Sequence, residues 1–229
     1  MSKYKYVLWD LDGTILDFEA AEKAAIKSLF DRFHLGKCSE EMLASYSEIN
    51  KKYWQMLERG EMKKDQILVK RFEEFFTQEG IDSGIAEAFN KEYELSLGDT
   101  IVFQDDAISI LKKQKKTCKI AIVTNGTTIA QKKKLEQTGL NDIVDNVFVS
   151  EIVGFEKPNR KFFENVIDAM NITDLEQVIV IGDSLTSDIQ GGHNIGIDTC
   201  WYNPKNVPND SLLIPTYTIH NLFELESII

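Results

Sequence analysis

The chain has 229 residues, of which 43% are hydrophobic and 28% charged, and its formal net charge at pH 7 is -11. These proportions are typical of a globular protein and argue against collagen-like, disordered or coiled-coil structure. The excess of acidic residues argues against binding to nucleic-acid polymers, which requires a basic surface. The apolar runs fall far short of the roughly 18 residues of a membrane span, so we expect no membrane partner.

The cysteines and the N-terminal sequence bear on the cellular compartment. Cys38, Cys118 and Cys200 are widely spaced and form neither a CxxC pair nor a zinc-binding pattern. The first residues lead directly into a strand-like run, without the apolar region of a signal peptide. We therefore expect a reducing, cytoplasmic location.

The first element is a short apolar run, Tyr6–Trp9, which predicts a buried strand. The segment that follows, up to about residue 98, has the apolar periodicity of amphipathic helices. One helix is predicted over 18–33, a second begins after Ser39, a third ends near Gly80 and a fourth begins after Asp82. Four such helices with short connections predict a small helical bundle.

After about residue 100 the pattern changes to alternating helices and strands. The predicted strands lie at 120–123, 147–149, 178–181, 199–202 and 217–219. This alternation indicates a parallel sheet covered by helices on both faces. We therefore predict an α/β protein with a Rossmann-like core domain, residues 1–16 and 99–229, and an inserted four-helix-bundle domain, residues 17–98.

Polar side chains directly follow several of the predicted strands. In parallel sheets such positions meet at one edge, where ligands bind. Each group alone is ordinary turn or helix-cap chemistry, but together, in this order, they indicate a functional site. The groups are Asp10 and Asp12, Thr124-Asn125-Gly126, Lys157-Pro158, and Gly182-Asp183-Ser184 with Asp188. Clustered carboxylates repel one another unless a cation lies between them, and Mg²⁺ favours such oxygen ligands.

The arrangement resembles the haloacid dehalogenase (HAD) superfamily of phosphohydrolases over essentially the whole chain. The resemblance depends on Asp10-Leu11-Asp12-Gly13-Thr14, on Thr124-Asn125-Gly126, on Lys157-Pro158 and on the stretch from Gly182 to Asp188. The predicted helical insertion resembles the family's C1 cap. The dehalogenases of the family lack the second aspartate of the first motif, so Asp12 favours a phosphatase. The stretch from Gly182 to Gly191 and residues 199–203 are similar to the pyrimidine 5'-nucleotidase subgroup.

The resemblance implies the roles of the reacting groups. Asp10 is expected to attack phosphorus and form an aspartyl-phosphate. Asp12 is expected to protonate the leaving alcohol and then to activate the attacking water. Its backbone carbonyl is also expected to bind the metal.

The resemblance also implies which residues bind the phosphate and the metal. Thr124, Asn125, Gly126 and Lys157 are expected to hold the phosphoryl oxygens. Asp183 is the expected second carboxylate ligand of Mg²⁺, beside Asp10. Asp188 is expected to bind the metal directly or through a water.

Three functions are compatible with this reading of the sequence. The first is a Mg²⁺-dependent phosphatase acting on nucleoside 5'-monophosphates. The second is a phosphosugar phosphatase or phosphomutase on the same scaffold. The third is a non-catalytic, receiver-like domain that carries an aspartyl-phosphate. Such domains lack the acid–base function expected of Asp12, and they have no helical insertion. The oligomeric state, monomer or homodimer, is not decided by the sequence.

Two further groups of residues have competing structural and functional interpretations. The aromatic residues Phe18, Tyr46, Tyr53 and Trp54 could stack on a nucleotide base, but their helical spacing favours packing in the bundle core. The lysine run at 132–134 could be a basic patch. Its position beside apolar residues of a helix favours a solvent-exposed helix face.

Overall fold

The computed structural model of the chain describes residues 3–229. Within these residues the strands form one six-stranded sheet in the order β3-β2-β1-β4-β5-β6, and each neighbouring pair is parallel. The predicted α/β class is confirmed. The strands are β1 (Tyr6–Trp9), β2 (Lys119–Thr124), β3 (Asn146–Val149), β4 (Val178–Gly182), β5 (Asp198–Tyr202) and β6 (Tyr217–Ile219).

The helices follow the predicted order, with five of them between the first two strands, of which the first four correspond to the predicted bundle. One short helix, directly after β3, was not predicted. The α-helices are α1 (Phe18–Arg32), α2 (Glu40–Glu58), α3 (Lys64–Gln78), α4 (Ala86–Ser96), α5 (Ala107–Gln114), α6 (Thr128–Thr138), α7 (Ser150–Val153), α8 (Arg160–Ala169) and α9 (Gln190–Ile195).

The ends of several helices agree with the capping signals of the sequence. The Ser39 hydroxyl accepts a hydrogen bond from the Met42 N–H and begins α2. Gly139 ends α6 with a φ of +67°, the left-handed conformation that glycine adopts at low cost. Asn221 also caps a helix, but the residues that follow, Leu222–Ser227, form a 3₁₀-helix instead of the expected α-helix.

The sequence predicts that Pro158 opens a helix and that a short helix runs over 187–195, and the structure differs at both boundaries. Pro158 does not open α8; Asn159 caps it, and its side chain accepts from the Lys161 N–H. Residues Leu185–Ile189 form a wider π-turn ahead of α9. This turn brings Asp188 back over the end of β4, where the Ser184 N–H donates to its carboxylate.

Helices α1 to α4 share an aromatic core of their own. Tyr46 is completely buried, and its ring stacks on Phe72 with 5.0 Å between the centroids. The expectation that Tyr46 packs in the core is therefore confirmed. On α2 the buried stripe runs through Leu43 and Leu57, whereas Met42 and Met56 lie only partly buried at its border. Two further apolar clusters cover the faces of the sheet.

Polar contacts join helices α2 and α3 to the segments that follow β3 and β4. The buried Lys64 ammonium, at the start of α3, donates to the Ser150 hydroxyl at 2.6 Å. The Thr186 hydroxyl, in the turn after β4, donates to the Glu58 carboxylate at the end of α2. Among residues 3–229, the helices include none with the length and apolar character needed to cross a bilayer. The three cysteines carry free thiols.

Candidate active site

The register of the three central strands sets the position of Asp10. Trp9, the last residue of β1, lies opposite Ile122 of β2 and Ile181 of β4. The Asp10 N–H donates to the Ile181 carbonyl at 2.9 Å, so Asp10 follows the middle strand at the carboxyl edge of the sheet. Its position agrees with the prediction for a ligand-binding edge.

Lys157 joins two carboxylates at this edge. Its ammonium lies 2.6 Å from a carboxylate oxygen of Asp10 and 2.6 Å from one of Asp188, and it donates to the Val123 carbonyl at 2.8 Å. All of its three ammonium hydrogens therefore have acceptors. Lys157 and Asp188 are each 1% exposed and Asp10 is 6% exposed, so these charges are compensated inside the protein.

Asp183 completes a set of three carboxylates. Three carboxylate oxygens, one each from Asp10, Asp183 and Asp188, lie within 4.8 Å of one another. Among residues 3–229, these three side chains are close enough together to hold a metal ion. The Thr14 hydroxyl donates to Asp183 at 3.2 Å. Lys157 neutralises one of the three carboxylates, and the two charges that remain match a divalent cation. The oxygen donors are of the kind that Mg²⁺ prefers, so these residues fit the predicted ion.

Two glycines make room for the carboxylates. Gly13 has a φ of +93°, and a Cβ on it would lie 2.6 Å from a carboxylate oxygen of Asp183. A Cβ on Gly182 would lie 2.1 Å from the carboxyl carbon of Asp188. A larger residue at either position would therefore displace a carboxylate of the site.

Burial and mutual repulsion change the acidity of the cluster. Burial, together with the neighbouring charges of Asp188 and Asp183, raises the pKa of Asp10 well above its usual value, against the influence of Lys157. The same two causes, burial first and Asp188 second, raise the pKa of Asp183 to about 7, although its side chain reaches solvent. Burial alone would lower the pKa of Lys157, but Asp10 and Asp188 raise it.

The predicted hydroxyl motif follows β2. The Thr124 hydroxyl accepts from the Gly126 N–H at 3.1 Å and from the Gln131 amide at 3.2 Å. Asn125 is engaged on both sides of its amide: it donates to the Lys157 carbonyl and accepts from the Lys157 N–H, each at 2.8 Å. The contacts in the structure thus show Asn125 holding the Lys157 backbone, while its predicted contact with phosphate stays a prediction.

Asp12 lies apart from the three-carboxylate set. Lys134 donates to one of its oxygens at 2.5 Å, and the Gln131 amide donates to the other at 2.7 Å. The expectation that residues 132–134 form a solvent-exposed face is wrong for Lys134, which is 2% exposed, whereas Lys132 is exposed. The reason is the helical period: Lys134 lies four residues after Ala130 on the buried side of α6.

Sequence reasoning also missed Glu58. This residue reaches from the helical bundle to Thr186, four residues past the end of β4. Burial raises the pKa of Glu58 to about 7, with further increases from Asp188 and Asp183. The sequence provided only a weak indication of this contact. Glu58 lies at the C-terminal end of α2, where the helix dipole does not stabilise an acidic residue.

Comparisons with known proteins identify the family and the same fold. Residues 7–202 match the family model described as haloacid dehalogenase-like hydrolase. The HAD-hydrolase YfnB of Bacillus subtilis (strain 168) is 36% identical over 229 residues, covering 100% of this chain and 97% of the relative. Its crystal structure, described as bound to magnesium and as revealing interdomain movement, has a TM-score of 0.91 and covers 98% of each chain.

Two further relatives have names that state an activity. The pyrimidine 5'-nucleotidase PynA of Streptococcus pneumoniae (strain ATCC BAA-255 / R6) is 35% identical, covering 97% of this chain and 93% of the relative. The pyrimidine 5'-nucleotidase YjjG of Escherichia coli (strain K12) is 29% identical, covering 99% of this chain and 98% of the relative. A glyceraldehyde 3-phosphate phosphatase of Pyrococcus furiosus is 23% identical over 231 residues.

Proposed function

Because the chain belongs to the haloacid dehalogenase-like hydrolase family and is a phosphatase of that family, we propose that it hydrolyses nucleoside 5'-monophosphates. The proposal is supported by the similarity to two pyrimidine 5'-nucleotidases over nearly the whole chain. The observation that carries the chemistry is the buried Lys157, which holds Asp10 and Asp188 at 2.6 Å each beside Asp183.

The proposed cofactor is Mg²⁺. Asp10, Asp183 and Asp188 would hold it with their carboxylates, and Asp12 with its backbone carbonyl. When bound, Mg²⁺ supplies positive charge that stabilises the phosphoryl oxygens during transfer.

In the proposed reaction, Asp10 is the nucleophile. Its carboxylate oxygen forms a bond to phosphorus while the bond between phosphorus and the ester oxygen breaks. Asp12, in its protonated form, gives the leaving oxygen a proton, which releases the alcohol and leaves Asp12 ionised. Asp12 then takes a proton from water as the water oxygen attacks phosphorus, which releases inorganic phosphate and restores Asp10.

The remaining residues position and neutralise the phosphoryl group. Lys157 provides a fixed positive charge where negative charge accumulates. Thr124 and Gly126 provide a hydroxyl and a backbone N–H at the end of β2, and Asn125 keeps the Lys157 loop in place.

Helices α1 to α4 are the proposed cap. We place the cap domain at residues 17–98 and the core domain at 1–16 and 99–229. Glu58 and Lys64 are the cap side chains whose contacts with the core lie near the carboxyl edge of the sheet. A cap in this position would exclude bulk water during phosphoryl transfer.

The test is a phosphate-release panel of purine and pyrimidine nucleoside 5'-monophosphates and sugar phosphates, measured with Mg²⁺ and with a chelator. The proposal predicts Mg²⁺-dependent release with a preference for the nucleotides. A preference for sugar phosphates would favour the phosphosugar phosphatase, the activity named for the Pyrococcus furiosus relative. Turnover of a sugar phosphate into an isomer without free phosphate would favour a mutase.

A further inference from the structure

The helix that follows the hydroxyl motif, α6, carries two polar side chains that enclose the Asp12 carboxylate. Lys134 lies 2.5 Å from one carboxylate oxygen and Gln131 lies 2.7 Å from the other. Both side chains come from a segment about 120 residues further along the chain. Each oxygen of Asp12 therefore has its own fixed donor.

Lys134 is buried and ion-paired in this position. Its side chain is 2% exposed, and Asp12 is the carboxylate with which it forms an ion pair. Its ammonium also lies 5.4 Å from the centroid of the Phe18 ring, at the start of the proposed cap. A buried ammonium is costly without a partner, so this lysine strongly favours one orientation of the Asp12 side chain.

Gln131 links Asp12 to the phosphate-binding hydroxyl. Its amide nitrogen donates to Asp12 at 2.7 Å and to the Thr124 hydroxyl at 3.2 Å. The ionised form of Asp12, which takes the proton from water in the second step, only accepts hydrogen bonds, so the amide nitrogen and not the amide oxygen faces it. Gly126 permits this packing, because a Cβ there would lie 1.6 Å from the amide nitrogen.

The other end of the Gln131 amide has no hydrogen-bond partner. Gln131 is 0% exposed, and its amide oxygen is buried without a donor. An unsatisfied buried acceptor costs folding free energy, which is unusual for a residue with a purely structural role. A methionine would fill the same space without that cost, so the donor function of the amide accounts for the glutamine.

We propose that Gln131 and Lys134 are positioning residues that hold the Asp12 carboxylate in line with the leaving-group oxygen. This inference rests on the proposed phosphatase chemistry, in which Asp12 transfers the proton. Proton transfer requires hydrogen-bond reach between the acid and the reacting oxygen, and a misplacement of about 1 Å can cost roughly a hundredfold in rate. The two donors also keep Asp12 apart from the three-carboxylate set.

The test compares two leaving groups in the full-length enzyme with Mg²⁺. p-Nitrophenolate leaves as a stabilised anion, whereas the ribose oxygen of uridine 5'-monophosphate needs a proton. Since kcat/KM includes steps up to phosphorylation of Asp10, Lys134→Met should lower it for the nucleotide about tenfold more than for p-nitrophenyl phosphate. Gln131→Met should change the ratio in the same direction. Ribose 5-phosphate replaces the nucleotide if the wild type does not hydrolyse it.

Matched variants separate positioning from folding. Lys132→Met, on the exposed side of the same helix, should leave both rates unchanged. In an Asp12→Asn background, Lys134→Met should cause no further loss, because Lys134 is proposed to act through Asp12. Gln131→Met removes no charge, and circular dichroism of each variant shows whether it folds.

Equal losses on both substrates in Lys134→Met and Gln131→Met would overturn the inference, as would a full additional loss in the Asp12→Asn background. These outcomes are distinct from failure of the proposed function. In that case the wild type itself would release no phosphate from any of the three substrates.

Discussion

The Lys157 ammonium lies 2.6 Å from a carboxylate oxygen of Asp10, a residue 147 positions earlier in the chain. The same ammonium is 2.6 Å from Asp188, so one buried cation holds the carboxylates that follow β1 and β4. The pair places a nucleophile candidate and a positive charge at the same edge of the sheet. The first two predictions concern its two members.

Asp10→Asn should lower phosphate release by roughly a thousandfold or more, because an amide is a poor nucleophile and forms no aspartyl-phosphate. Steady-state phosphate release measures the loss, and thermal unfolding shows whether the fold persists. Asp168→Asn, on the exposed face of α8, should retain wild-type activity. Activity near the wild-type level in Asp10→Asn would refute its role as nucleophile.

Lys157→Met should abolish turnover and also destabilise the metal-free protein. Removing one partner from a buried ion pair leaves the carboxylates of Asp10 and Asp188 uncompensated, at a cost of about 3–5 kcal/mol in the free energy of unfolding. Urea denaturation with chelator present measures this change. Lys161→Met, at an exposed position four residues later, should change stability by at most about 0.5 kcal/mol. Equal stabilities of the two variants would contradict the assignment.

Gly182→Ala should weaken Mg²⁺ binding. The added Cβ would lie 2.1 Å from the carboxyl carbon of Asp188, which is buried and cannot move without breaking its contact with Lys157. Isothermal titration calorimetry with MgCl₂ measures the affinity. Gly84→Ala is the matched control, since its Cβ would first meet an exposed Asp82 oxygen at 3.2 Å. Unchanged affinity in Gly182→Ala would mean that Asp188 takes no part in binding the ion.

Glu58→Gln should change how stability depends on pH. Burial raises the pKa of Glu58 to about 7 in the folded protein, above the unfolded value near 4.5. Between these values unfolding releases a proton, so the wild type loses stability as pH rises from about 4.5 to about 7. A glutamine cannot ionise, so the stability of the variant relative to the wild type should rise over this interval by about 1–3 kcal/mol and then stay constant.

Thermal or urea unfolding from pH 4 to 8, in the presence of chelator, measures this difference. Glu48→Gln, on the exposed side of the same helix, serves as the control for the loss of one carboxylate. A stability difference between Glu58→Gln and the wild type that does not change with pH would show that Glu58 titrates normally.

Much of the fold follows from local patterns. Short apolar runs predicted the strands. The alternation of strands with helices predicted a parallel sheet, because parallel neighbours need a crossover connection, which is usually a helix. Capping residues such as Ser39 and Gly139 gave helix ends correctly, since their effect depends on the neighbouring few residues. The sequence did not predict the type of helix over 222–227 or over 185–189, where the structure has 3₁₀ and π geometry.

The principal site residues could also be anticipated, because parallel strands deliver the residues after their last positions to one common edge. Asp10, Lys157, Asp183 and Asp188 meet there for that reason. Residues that reach this edge from a helix, and not from the end of a strand, could not be predicted from strand positions. The sequence predicts Lys134 as an exposed lysine of a basic run, but its burial depends on the rotation of α6 about its axis.

The amino-acid order alone indicated which carboxylates, which lysine and which hydroxyl stand at the ends of strands, because strand direction and period are local properties. The folded chain decided how these groups are paired and supported. Lys134 and Gln131 on Asp12, Asn125 on the Lys157 backbone and Glu58 on Thr186 are contacts between distant segments. Their existence depends on how helices pack against the sheet and on each other, which no local pattern encodes.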